Sequence, residues 1–169
     1  MPTGQILSGN FINAIDLQDE FAARTLVKAR ATSPTTWISD TAFKNVAGLA
    51  CAMSASQVYK LRGRLKITGA NTTHDVKLQF TLPSGATIEW SVYAITASQT
   101  ANPVSVDMSS NSGAIIRGTI AGTMTYEVEG FITVSTTAGN AQLQAAQNVS
   151  DPGTLSLDAG SEISVEPWV

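Results

Sequence analysis

Over residues 59–67 the chain alternates without a break. Tyr59, Leu61, Gly63, Leu65 and Ile67 stand at the odd positions, and Lys60, Arg62, Arg64 and Lys66 at the even ones. Successive side chains of a strand point to opposite faces, so this stretch has one apolar face and one carrying four cations. The same period returns downstream. Val76, Leu78, Phe80 and Leu82 alternate with Asp75, Lys77, Gln79 and Thr81, and Ile88, Trp90, Val92 and Ala94 with Thr87, Glu89, Ser91 and Tyr93. Met124, Tyr126, Val128, Ile132 and Val134 alternate with Thr125, Glu127, Glu129 and Thr133. Shorter strands fit 114–120, 141–147 and 162–165. Clean alternation puts one face on a core and the other outward, as in antiparallel sheets. Leu82-Pro83-Ser84-Gly85, Ala121-Gly122 and Thr137-Ala138-Gly139-Asn140 punctuate the strands as turns. Seven or eight such strands predict an all-β, antiparallel sandwich or barrel.

The chain has 169 residues, enough for one domain that needs no disulfide or metal to hold it. Residues 1–35 have a different character and are assigned to an N-terminal arm, leaving 36–169 for the sandwich. Phe11, Ile12, Ile15, Leu17 and Phe21 lie among Asn13, Asp16, Asp19 and Glu20. Asp16 is placed to cap a short helix over 17–23, with Asp19 and Glu20 in its first turn. So short a helix is marginal alone in water, so the arm needs a surface to lie on. Residues 24–31 look like a strand, and Thr32-Ser33-Pro34-Thr35-Thr36 like a junction. The stretch 97–113, with Asn102-Pro103 and Ser109-Ser110-Asn111-Ser112-Gly113, is expected to be a long polar loop.

Composition narrows the function. Charged residues make up 14% of the chain, well below the proportion of roughly a quarter in an ordinary soluble domain. Thr, Ser, Ala, Asn, Gln and Gly take their place, which suits close packing against other protein. Ten cations against thirteen anions leave a net charge of -3, unlike the basic footprint of a nucleic-acid binder. No secretory signal and no membrane-spanning run is expected. Cys51, flanked by Ala50 and Ala52, reads as a small buried hydrophobe.

The residues offer little for catalysis. His74 is the one histidine and falls in the turn signal Asn71-Thr72-Thr73-His74, and no G-x-S-x-G elbow accompanies it. One His and one Cys do not make a zinc site, and no phosphate-binding glycine pattern occurs. No cofactor is expected. Glu127 and Glu129 are neighbours on one strand face and are formal candidates for a glycosidase pair. The simpler reading is that they balance the row of Lys60, Arg62, Arg64 and Lys66, which would otherwise repel itself. Asp151 and Asp158 lie among turns but lack EF-hand spacing. Phe131 and Tyr93 point to the polar side of their strands, and Trp168 follows Pro167 near the C-terminus. Aromatic side chains there suggest either a local bulge or a covered surface. Tyr93, Phe131, Glu127, Glu129, Arg62, Arg64 and Trp168 are therefore the expected oligomer interface.

The last third carries a resemblance. Gly118-Thr119-Ile120 and Gly130-Phe131-Ile132-Thr133-Val134 precede Ala138-Gly139-Asn140-Ala141-Gln142-Leu143-Gln144-Ala145-Ala146-Gln147-Asn148, followed by Ala159-Gly160-Ser161 and a terminal strand. With Leu82-Pro83-Ser84-Gly85-Ala86 and Trp90, these motifs resemble the β-sandwich domain at the C-terminus of short structural proteins of tailed bacteriophages. The resemblance spans roughly residues 46–169. It departs from the family at Ala145, often aromatic there, and in the acidic Glu162 and Glu166. It implies a jelly-roll-like sandwich, usually a homotrimer, displayed on a virion without catalysis. The expected function is a capsid decoration (cement) protein on the phage head surface. Its arm residues Phe11, Ile12, Ile15, Leu17 and Phe21 would lie on the major capsid protein. A tail-fibre or receptor-binding tip, holding a host glycan through 97–113, is the alternative. A carbohydrate-active enzyme is a third and remoter reading.

Overall fold

A computed structural model describes residues 5–7, 10–12, 25–73, 75–95, 106–110, 113–118 and 121–168. Every regular element in them is a strand: β1 (Gln5–Leu7), β2 (Asn10–Ile12), β3 (Val27–Arg30), β4 (Thr35–Trp37), β5 (Lys44–Met53), β6 (Val58–Gly69), β7 (Val76–Thr81), β8 (Thr87–Ile95), β9 (Val106–Ser110), β10 (Ile115–Arg117), β11 (Gly122–Thr133), β12 (Gly139–Gln147), β13 (Leu155–Leu157) and β14 (Glu162–Pro167). The large sheet runs β3-β14-β6-β11-β8-β9, and the small sheet runs β10-β7-β12-β5. From β5 to β8 and from β10 to β13 the chain crosses between the two sheets at every step. The fold is a jelly-roll-like antiparallel β-sandwich.

The alternation in the sequence builds the core directly. Leu61, Leu65, Ile67, Ile88, Trp90, Val92, Tyr126, Val128 and Ile132 of the large sheet are buried. They face Val76, Leu78, Phe80, Ala141 and Leu143 of the small sheet. Phe80 meets Trp90 edge to face across the two layers, with centroids 5.1 Å apart.

β6 and β11 pair over their full lengths, in one register from Gly122↔Gly69 to Thr133↔Val58. The other edge of β6 is shared, with β14 pairing along its first half and β13 along its last three residues. Ser161 closes the gap between those two strands. Its side chain is fully buried, and its hydroxyl accepts from the Lys66 amide at 2.9 Å. Gly160, at φ +86°, supplies the left-handed turn that aims it. The Ala159-Gly160-Ser161 motif is thus a splice between two strands on one edge.

Several elements differ from expectation. β3 is paired with β14, and Ala29, Ala31 and Trp37 belong to the core, so the sandwich starts before the junction at 32–36. That junction runs into β4, which pairs with β13. The stretch 97–113 is not a plain loop, because β9 adds to the edge of β8 with Tyr93 opposite Val106 and Glu89 opposite Ser110. Phe11 and Ile12 fall in β2, which pairs with β1. Ile15, Leu17, Phe21 and the helix expected over 17–23 lie outside the described residues, as does His74.

Candidate functional surface

The expected interface residues come together on one surface, the outer face of the large sheet. Residues directly opposite in antiparallel strands share a face, so the register defines rows across β3, β14, β6, β11 and β8. The first row reads Arg30, Glu162, Arg64, Glu127, Tyr93; the second reads Lys28, Ser164, Arg62, Glu129, Ser91. The third holds Glu166, Lys60, Phe131 and Glu89, with exposed Leu26 one step beyond the last β3–β14 pair. Arg64 therefore lies between Glu162 and Glu127, while Arg62 and Lys60 each have one acidic neighbour, Glu129 and Glu166.

Across the strands like charges are separated, yet few of these groups touch. Among the described residues the one ion pair on this face is Arg64 Nε with Glu127 Oε1, at 3.5 Å and largely in solvent. Such a pair contributes little to stability. The long side chains ring a shallow depression of about 410 Å³, lined among others by Gly63, Lys28, Arg62, Ser164 and Glu129.

Phe131 faces outward, as its place in the alternation requires. No bulge re-aims it, since the β6–β11 register is unbroken. The preceding Gly130 is forced by proximity: a Cβ there would run into the Glu89 carbonyl and the Trp90 side chain. Trp168 lies edge-on to Phe131 at 5.5 Å, and Lys60 Nζ sits over the Trp168 ring at 5.7 Å. Trp168 remains 57% exposed, Phe131 43% and Leu26 42%, so this end of the face presents an apolar patch beside charged rows.

The other candidates find structural roles. Asp151 accepts from Asn71 Nδ2 at 3.0 Å, Thr73 Oγ1 at 2.6 Å and the Gly153 amide at 2.6 Å. Asp158 accepts from Thr68 Oγ1 and Ser156 Oγ, both at 2.6 Å. Both carboxylates staple loops to strands, and no cluster of metal-ligating side chains occurs among the described residues. Cys51 is fully buried, and burial pushes its thiol up to about 11. Its Sγ faces the carbonyls of Val27 and Ile163 at 3.7 and 3.8 Å. Glu127 and Glu129 line the shallow depression on the outer sheet face.

Sequence reasoning missed two buried polar side chains. Gln147, fully buried, accepts from the Asp40 amide at 3.1 Å and donates to the carbonyls of Asp151 and Gly153 at 3.1 and 2.8 Å. Arg117, 4% exposed, donates from Nη2 to the Val92 carbonyl at 2.5 Å. A lone Gln at the end of a strand, or a lone Arg on a short one, carries no sequence signal of burial.

No protein-family model matches the chain, and no curated protein sequence matches it. It is similar in structure to Eiger TNF from S. frugiperda, at 10% identity and TM-score 0.30, over 87% of this chain and 94% of that one. It is also similar to the N-terminal modules of Clostridium thermocellum endo-1,4-beta-D-xylanase 10B, at 13% identity and TM-score 0.33, over 83% of this chain and 27% of that one. A third is a structure of infectious bursal disease virus Gt strain, at 11% identity and TM-score 0.24, over 99% of this chain and 46% of that one. The chain thus spans less than half the length of the last two. Likenesses this distant carry no functional weight, and the sandwich rests on its own strand pairing.

Proposed function

We propose that this chain is a non-enzymatic structural protein of a phage virion, acting as a capsid decoration protein. The observation that supports the reading is the placement of Tyr93, Phe131, Glu127, Glu129, Arg62, Arg64 and Trp168. Residues from three strands and the C-terminal segment meet on one exposed face. That face mixes charge with an apolar patch, as protein-contact surfaces do. The resemblance in the last third supplies the virion, the homotrimer and the arm as attachment element.

The mechanism needs no chemistry. A trimer that straddles neighbouring capsid subunits binds the assembled lattice more tightly than free subunits, because its contacts are made together. Whatever binds only the assembled shell stabilises it by mass action. Deleting residues 1–24 tests the division of labour, since it spares β3. The truncated chain is expected to keep its fold and oligomeric state and to lose capsid binding in co-sedimentation. A truncated chain that still decorates capsids overturns the role of the arm.

A further inference from the structure

We infer that the outer face of the large sheet is a two-fold contact surface for a second copy of this chain. The inference goes beyond the decoration reading and does not depend on it. It rests on the order of charges in the three rows.

Consider two copies stacked face to face about an axis parallel to the strands, lying between β14 and β6. Such an axis keeps each row opposite itself and exchanges β3 with β11 and β14 with β6. In the first row Arg30 then faces Glu127 of the second copy, and Glu162 faces Arg64. In the second, Lys28 faces Glu129 and Ser164 faces Arg62. In the third, Glu166 faces Lys60 and the exposed Leu26 faces the exposed Phe131. Within the four overlapping strands of these rows, each charged position meets an opposite charge or a hydroxyl, and apolar meets apolar. No like charges oppose.

Other axes fail. An axis across the strands sets the first row against the third, so Glu162 meets Glu166 and Arg64 meets Lys60. An axis along β6 sets Arg64 and Arg62 against themselves. Shifting the axis to lie between β6 and β11 brings Glu166 onto Glu89 and Phe131 onto Lys60. The pattern selects one arrangement, and an isologous contact of this kind joins copies in pairs. The cations are available for it: among the described residues Lys28, Arg30, Arg62 and Lys60 make no ion pair on this face.

Face-to-face sheets pack about 10 Å apart, with strand directions within roughly 30° of each other. The matched patch is about 14 Å across four strands and about 13 Å along three rows, small enough for twist to leave its pairs in reach. So small a patch gives a weak contact, so self-association is followed up to chain concentrations on the order of 1 mM. Any three-fold contact uses another part of the molecule.

A charge swap tests it. Lys28 and Glu129 lie three strands apart in one copy, about 14 Å, too far to pair directly. The two-fold contact sets them together between copies. K28E and E129K are each expected to weaken self-association of the full chain about tenfold, read by sedimentation across a concentration series. The double variant K28E/E129K is expected to return to within about threefold of the parent. Both residues are exposed, so thermal melts should stay put. A chain that is monomeric throughout overturns the inference, as does association indifferent to the swaps or a double variant no better than the singles. Loss of capsid binding with the swap intact touches only the decoration reading.

Discussion

Gln147 shows how single polar residues hold this sandwich. Its amide spans the last residue of β12, the 151–153 loop and the Asp40 amide, all out of solvent. Replacing it with Ala strands those backbone groups without water, at a cost of about 1–3 kcal/mol for each buried group left unpaired. Gln147→Ala is expected to lower unfolding free energy by about 2–4 kcal/mol in urea titration; a change within error would mean water replaces the amide. Gln142 acts in the same way for a bulge. Its Nε2 donates to the Val46 and Leu49 carbonyls, both at 3.0 Å. These two glutamines sit in the motif that carries the phage resemblance, and their hydrogen bonds give that motif a physical reason. Cys51 belongs to the same scale: its raised thiol keeps the protonated form at neutral pH. Stability from that group is complete below its ordinary value near 9.0 and is lost as pH rises towards about 11.

At the scale of elements, legibility followed strict alternation. The strands that became β6, β7, β8 and β11 could be read because each keeps period 2 over at least six residues, with large apolar side chains inward. β5 was not foreseen, because it breaks phase. Val46 and Leu49 are both buried though three residues apart, and the β12 partner shifts register between Gln142 and Gln144. Gly48, at φ +79°, permits the arch; a Cβ there would lie 2.5 Å from the Arg30 carbonyl. β4 and β13 are three residues each, too short for any period to show. β9 escaped because a polar edge strand reads like a loop. The outward placement of Phe131 and Tyr93 was legible for a simpler reason: an aromatic side chain on the wet face of a strand contradicts its period. What sequence could not supply was the register, and register alone sets Arg64 between Glu162 and Glu127. β3 makes a test. Extending the deletion from residue 24 to residue 31 removes β3 and the buried Ala29 and Ala31, exposing the edge of β14. The longer deletion is expected to unfold at least about 5 °C lower than the shorter, in line with ~1–2 kcal/mol. Equal melting temperatures would show that β3 is dispensable.

On the scale of the whole molecule, the two faces of the large sheet do different work. The inner face closes the core against the small sheet. The outer face carries charge in ordered rows, a low ledge of aromatic side chains and little internal pairing. Its net charge nearly cancels, with Lys28, Arg30, Lys60, Arg62 and Arg64 against Glu89, Glu127, Glu129, Glu162 and Glu166. A face balanced in this way neither repels copies of itself nor steers strongly charged ligands. The most direct measurement of the proposed decoration role is the copy number of this chain in purified phage particles, by quantitative mass spectrometry against the major capsid protein. A decoration protein is expected in hundreds of copies, in fixed ratio to the shell lattice. A handful of copies would place it on a tail or fibre, and its absence from particles would contradict the account.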